Sequence, residues 1–353
     1  MRLLENKYDP PDLYLSIRDS IGVEVGDSNY VIGSPSFARM LPQQRVLIVD
    51  HIKKSVSLYS SEGEYLAQVG KCGGGPGEYV IPSWVALTPS GGFAVNDVGG
   101  RAILFFTEEC VYSGRTGIFE TAVPSNTAFL SDTSFIGSTP VRDFIDGDLH
   151  AGYAVSLFSI NSNEPLLTYY SELALFNGEN PLSIDALKPS TAISDDGVIF
   201  IAPRSQDQYC ITAYTAQGDT LFQIQEAYSR LEKPEDVIIE ETARRRAYLE
   251  YAGAPAHIVN NFNAQKCYYA INSIGIGPDS NLWVSLGFTA FPTFLVYSST
   301  DGTYLYSAVL ENHSHVEDML VFPTKYGITA VDHYSDSWPR VFLIEIDSEP
   351  NRN

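Results

Sequence analysis

Cations are scarce in this chain: 22 Lys and Arg stand against 43 Asp and Glu in 353 residues, a formal net charge of -21. Tracking nucleic-acid phosphates needs clustered Lys and Arg that release counterions, so that class of partner is excluded. The acidity itself reads as a surface that resists self-association. Cysteine is also sparse. Cys72, Cys110, Cys210 and Cys267 lie far apart with no C-x-x-C pair, which excludes a zinc knuckle and a dithiol redox motif. No apolar run approaches the roughly 18 residues of a membrane-spanning helix. The opening Met-Arg-Leu-Leu-Glu-Asn is too short in apolar residues for a signal peptide, so an exported protein would already have lost its leader. G-x-S-x-G and H-E-x-x-H are both missing, so neither a nucleophile elbow nor a zincin helix is indicated.

What the chain has in abundance is β-formers and turn residues, with 22 Tyr, 18 Phe, 27 Gly and 20 Pro. An apolar run closing on an aromatic or aliphatic residue and a small polar turn recurs six times. The copies are VSLYSSEG (56–63), ILFFTEE (103–109), VSLFSINSN (155–163), ITAYTAQG (211–218), FLVYSSTDG (294–302) and the weaker VFLIEIDSE (341–349). Their anchors Tyr59, Phe106, Phe158, Tyr214, Tyr297 and Ile344 are 47, 52, 56, 83 and 47 positions apart. All but one interval suit a blade of four short strands, which takes roughly 40–50 residues.

A second β-rich run precedes each copy: RVLIVDH (45–51), GGFAVND (91–97), SFIGS (134–138, the degenerate one), DGVIFIAP (196–203), SNLWVSL (280–286) and YGITAVDH (326–333). Helical-repeat periodicity is lacking, so strands are assigned. The chain ends just after the third strand of the sixth copy, and a spare strand-like segment, 12–18, stands before the first. Pairing the two would close the ring and remove an open sheet edge. The expectation is an all-β, six-bladed propeller, one domain over 1–353. The 83-residue interval implies a helical insertion, 227–265, between blades four and five. Pro234 suits its first turn and Gly253 its stop, and Ile239, Ala243, Ala247 and Tyr251 share one face of the predicted helix.

Gly70-Lys71-Cys72-Gly73-Gly74-Gly75-Pro76-Gly77-Glu78-Tyr79, followed by Pro82 and a strand, resembles the glycine-rich link between blades of NHL-repeat and TolB-like bacterial six-bladed propellers. The repeats cover about residues 12–346. The resemblance implies the fold and an extracytoplasmic location, with the cytoplasm as the alternative, and no particular activity. A phosphate-cradling loop would need a following helix and a Lys-Ser/Thr pair, whereas a strand follows.

Strand order decides where chemistry can gather. Links into the inner strands and turns between second and third strands emerge on one face of the disc. They bring there Asp50, His51, Tyr79, Asp97, Arg101, Asp143, His150, Arg204, the Trp283–Phe288 turn, Asp332 and His333. That face is the expected ligand site. Arg101 and Arg204 have the chemistry to clamp a carboxylate or phosphate. His313 and His315, with Glu317, Asp318 and His333 near them in sequence or topology, have metal-like spacing for zinc. Asp50, Asn96, Asp97 and Asp332 are the residues that a calcium-dependent, lactonase-type site, known in some six-bladed propellers, would draw on. The reading favours a binding module without a cofactor, holding a small molecule, peptide or protein. The alternative is a metal-dependent hydrolase on the same face, with Ca or Zn as its ion.

Overall fold

The computed structural model describes residue 7 and residues 10–176, 187–251, 253–310, 319–332 and 338–347. Six four-stranded antiparallel sheets, each running from an inner to an outer strand, follow one another along the chain. Blade 1 is built from Pro35–Leu41, Arg45–Asp50, Ser55–Ser60 and Tyr65–Gln68. Blade 2 comprises Pro82–Leu87, Phe93–Asp97, Ala102–Phe106 and Tyr112–Arg115. The later blades begin at Ser125, Ser190, Ile271 and Met319. The protein is a six-bladed β-propeller, and the twelve runs read from the sequence are the second and third strands of its blades.

Position in the blade explains the character of each strand. Second strands are covered on both faces by adjacent blades, so Arg45–Asp50, Phe93–Asp97 and Leu282–Leu286 are almost continuously buried and apolar. Outer strands are half solvated, and Tyr65–Gln68 and Tyr112–Arg115 alternate strictly between half-buried and exposed. The core is accordingly a ring of six seams. Phe37, Val49, Val85 and Phe93 fill the seam between blades 1 and 2, and Phe135, Phe158, Ala94 and Ile103 that between 2 and 3. The smallest seam, Ile136, Val155, Ile199 and Ile201, joins blades 3 and 4.

Closure uses the spare N-terminal strand. Leu13–Ile21 pairs antiparallel with Val341–Ile346 as the outer strand of blade 6, with Leu15 opposite Ile346 and Ile21 opposite Val341. The start of the same strand runs parallel to the outer strand of blade 5, Leu13 to Leu15 against Ala308 to Leu310, which fuses blades 5 and 6 into one eight-stranded sheet. Blades 6 and 1 are then tied by the Thr329 hydroxyl on the Ala38 carbonyl (2.9 Å) and the Thr324 hydroxyl on the Met40 carbonyl (3.2 Å).

The glycine-rich link between blades 1 and 2 is a close-approach turn. Gly70 has φ +67°, and a Cβ there would lie 2.8 Å from the Phe106 ring and 2.9 Å from the Gly77 carbonyl. Gly77, at φ +75°, packs equally tightly on Tyr112.

Two elements depart from the expectation. The degenerate run of blade 3 belongs to a strand of twelve residues, Ser134–Ile145, which with Asp148–Ser159 and Pro165–Leu175 runs past its neighbours and ends in exposed polar residues and Phe144. The insertion contains the long helix Glu235–Tyr251 and the short helix Ala256–Asn261. The face read as apolar points outward: Ile239 and Tyr251 are 63% and 62% exposed, and Ala243 and Ala247 are exposed too. The side that packs inward carries the buried Leu249, and Arg246 donating to the Phe262 carbonyl (2.8 Å) and Ala264 N donating to the Thr242 hydroxyl (3.0 Å) tie the helix to the segment that follows it.

Because the closing strand buries Leu15 in the seam between blades 5 and 6, Leu15→Ala is expected to cost about 2–5 kcal/mol in urea unfolding. Leu166→Ala, on the exposed outer strand of blade 3, is expected to stay within about 0.5 kcal/mol.

Candidate functional site

Asp50 and Asp97 occupy equivalent places, each ending a second strand opposite the proline that starts the inner strand. Proline has no N–H, and the two amides before it would be orphaned at the turn. The carboxylates take them. Gly33 N and Ser34 N donate to Asp50 (2.6 and 3.1 Å), and Val80 N and Ile81 N donate to Asp97 (3.0 and 2.8 Å). Both carboxylates are buried. Asn96 is spent similarly, its amide on the Pro124 carbonyl and its oxygen on the Thr127 hydroxyl, tying blade 2 to blade 3.

The other residues expected on this face have varied surroundings. Tyr79 is fully buried and its hydroxyl accepts from Val56 N (3.1 Å) across the seam between blades 1 and 2, with burial pushing its pKa up. Trp283 is a core side chain whose indole N–H meets Asp279 (2.9 Å). His51 is half-buried in its turn, its backbone N–H on the Ser34 carbonyl. Arg101 is exposed, at φ +51°, and donates to the Glu120 carbonyl (2.7 Å). Asp143 and His150 face each other across the long hairpin of blade 3. Asp332 ends the strand Gly327–Asp332. Its side chain, His333, and the segment 311–318 with His313, His315, Glu317 and Asp318 lie outside the described residues. Among the described residues no three His, Cys, Asp or Glu side chains converge to hold a metal ion.

The six inner strands enclose a cavity of about 680 Å³ along the ring axis, within the size range of small-molecule sites. Its wall is mixed, with apolar and aromatic side chains such as Phe37, Trp84, Phe129, Ile274 and Phe322 alternating with hydroxyls and amides such as Asn126, Thr191 and Asn272. Its charge runs against that of the chain. Arg39, Lys188, Arg204 and Lys325 line it against a single acid, Asp195, where the overall composition would supply about two acids for each base. Lys325 is neutralised by Asp195 at 2.6 Å, an ion pair that joins the inner hairpin turns of blades 6 and 4 past blade 5.

Arg39 is the group that sequence reading missed. It sits in the body of the innermost strand of blade 1, with its guanidinium 5.7 Å from the Phe37 ring centre and no hydrogen bond or ion pair among the described residues. Burial pushes its pKa down to about 10, with the Tyr326 hydroxyl offsetting this in part. Its charge at neutral pH is therefore uncompensated. The available signal was an arginine inside an otherwise apolar PSFARML run, legible only once that run is known to line the axis. Arg204, among the described residues the one sequence-named candidate that lines the cavity, stacks on the Tyr269 ring at 4.3 Å, and its buried Nε has no hydrogen-bond partner among them.

Comparisons with known proteins agree on the architecture. Residues 25–107, which carry blade 1, the glycine-rich link and most of blade 2, match the model of a family described as a 6-bladed beta-propeller. Among solved structures, a member of the duf4221 family from Bacteroides vulgatus aligns over 95% of this chain and 98% of its own, with 8% identity and a TM-score of 0.54. U3-55K aligns over 92% and 98%, with 11% identity and a TM-score of 0.50. Identities this low speak to fold alone. No curated protein matches the chain. Among the described residues, no helix is long and apolar enough to cross a membrane.

The amide clamps of Asp50, which also accepts from Lys53 N, and of Asp97 predict that Asp50→Asn and Asp97→Asn each cost about 1–3 kcal/mol in urea unfolding, because at least one of the backbone N–H groups loses its acceptor. The loss is expected to be equal in excess Ca²⁺ and in chelator. A loss seen only with Ca²⁺ present would instead mark these carboxylates as ligands.

Proposed function

We propose that this propeller is a binding module whose axial cavity holds a small organic anion, with Arg39 receiving the acidic group. The observation that carries the reading is the unpaired Arg39 guanidinium in an aromatic-lined cavity of an acidic protein. A half-buried cation without an acidic partner carries a desolvation cost in the empty protein. An anion that supplies charge-assisted, bidentate hydrogen bonds removes that cost on binding. The aromatic wall offers burial to the rest of the ligand at about 25 cal/mol per Å² of apolar surface.

Binding rather than turnover is favoured by what faces the cavity. Its polar groups are cations, hydroxyls and amides, and the carboxylate of Asp195 is held by Lys325. The site sits deeper than the turns of the link face, on the walls that all six blades share. An NHL- or TolB-like assignment and a place outside the cytoplasm form part of the same proposal, on the strength of the resemblance in the glycine-rich link.

A ligand that binds only the folded state raises its melting temperature. Millimolar 2-naphthoate is expected to raise the melting temperature of the wild-type protein, while the neutral 2-naphthamide does not. Arg39→Met is expected to abolish the response and to leave the unliganded protein at least as stable, because an uncompensated charge is replaced by an apolar chain of similar length. Equal shifts with acid and amide, or an undiminished response in Arg39→Met, would refute the assignment. Hydrolysis of ester or lactone probes that depends on Ca²⁺ or Zn²⁺ would put the enzymatic alternative in its place.

A further inference from the structure

The cavity wall contains two arginines, and their placement carries information beyond the need for an anion. Arg39 belongs to blade 1 and Arg204 to blade 4, the blade opposite it in a ring of six. They also differ in level. Arg39 pairs with Leu47 in blade 1, and the corresponding pair in blade 4 is Ala192 with Phe200. Arg204 lies four residues beyond Phe200 in the direction of the link face. The strand ends at Ala202, so at roughly 3.3 Å per extended residue the backbones are offset along the axis by at most about 13 Å.

Both guanidinium groups await an acceptor. Arg39 has no polar partner among the described residues, and the Nε of Arg204 is buried without one while its plane rests on Tyr269. The buried Nε–H of Arg204, left unpaired, costs about 1–3 kcal/mol, and the half-buried charge of Arg39 has no acidic partner, so each group favours a ligand that reaches it. Between the two levels the wall presents Phe37 and Trp84, with Phe322 beside Arg39 at its own level, and these favour an apolar or aromatic stretch. Lys325 is already paired with Asp195 and adds no comparable demand.

The geometry points to an elongated dianion as the ligand class, with an acidic group at each end of a largely apolar or aromatic body, one end on Arg39 and the other on Arg204. This rests on the reading of the axial cavity as an anion site. A compact anion such as inorganic phosphate reaches one guanidinium and leaves the other bare, as does a monoacid of any length.

Isothermal titration with biphenyl-4,4′-dicarboxylate, biphenyl-4-carboxylate and inorganic phosphate tests it on the full chain. The dicarboxylate is expected to bind at least about tenfold more tightly than the monocarboxylate, and phosphate more weakly than either, the tenfold matching the lower end of a charge-assisted hydrogen bond. Arg204→Gln is expected to remove the preference for the second carboxylate while leaving the monocarboxylate within about twofold. Arg204→Lys, which keeps the charge and the folded state, is expected to retain part of it. Arg39→Met is expected to weaken both biphenyl acids. Equal affinities for mono- and dicarboxylate, phosphate binding as tightly as the dicarboxylate, or an unchanged preference in Arg204→Gln would overturn the dianion inference and leave the anion site standing. If neither biphenyl acid binds, or if Arg39→Met binds both as the wild type does, both readings fall together.

Discussion

The antiparallel pairing of Leu13–Ile21 with Val341–Ile346 is the contact on which the rest of the molecule depends. Each blade alone is a small sheet with two apolar faces, and it is stable only when both are covered by neighbours. In a row of six blades the end blades would each leave one face uncovered, and the sixth would lack its outer strand. Bringing the first strand of the chain to the last blade completes that sheet, and Ile21, Ala38, Val46, Val331 and Val341 then seal blade 6 against blade 1. The pairing spans nearly the whole sequence, so its loop-closure entropy is met late in folding, after the local hairpins have formed.

Closure also makes the site. The inner strands converge on an axis only in a completed ring, and only there does Arg39 become a half-buried cation facing a shared cavity instead of a fully solvated side chain on a strand. The consequence for stability has a definite sign. A base whose pKa falls to about 10 in the folded protein, below its normal value, disfavours folding wherever it is charged, so the cost is in force below about pH 10 and is relieved only as pH rises above that. Physiological conditions lie entirely on the costly side. A charge kept under those conditions fits a site whose stability has been traded for recognition.

The carboxylates show the opposite economy. Asp50 and Asp97 stand at the ends of second strands, where a ligand site in a propeller would first be sought, and they are consumed by the amides that precede Pro35 and Pro82. Two acids in equivalent positions of successive blades thus serve the repeat, setting the angle at which each link enters its inner strand. Residues that recur with the repeat maintain the repeat, whereas Arg39 and Arg204 occur once each and break it.

The strand pattern, the number of blades, the N-terminal closing strand and the helix after Pro234 were all legible in the sequence, because they depend on local periodicity, turn chemistry and counting. Arg204 was legible as a rare cation on an acidic chain. What the linear pattern left undecided was orientation. The stripe Ile239, Ala243, Ala247 and Tyr251 has the spacing of a buried face and yet points outward, while Leu249 is buried and Thr242 and Arg246 hydrogen-bond to the segment after the helix. The depth of the site was undecided for the same reason. Whether a side chain on a β-strand meets a neighbouring blade, the solvent or the axis depends on how six separate sheets pack around a point, and that is a property of the closed ring. The sequence by itself determined how many blades there are and how the ring is sealed; only the tertiary structure determined that two arginines from opposite blades, without an acidic partner among the described residues, face one axial cavity.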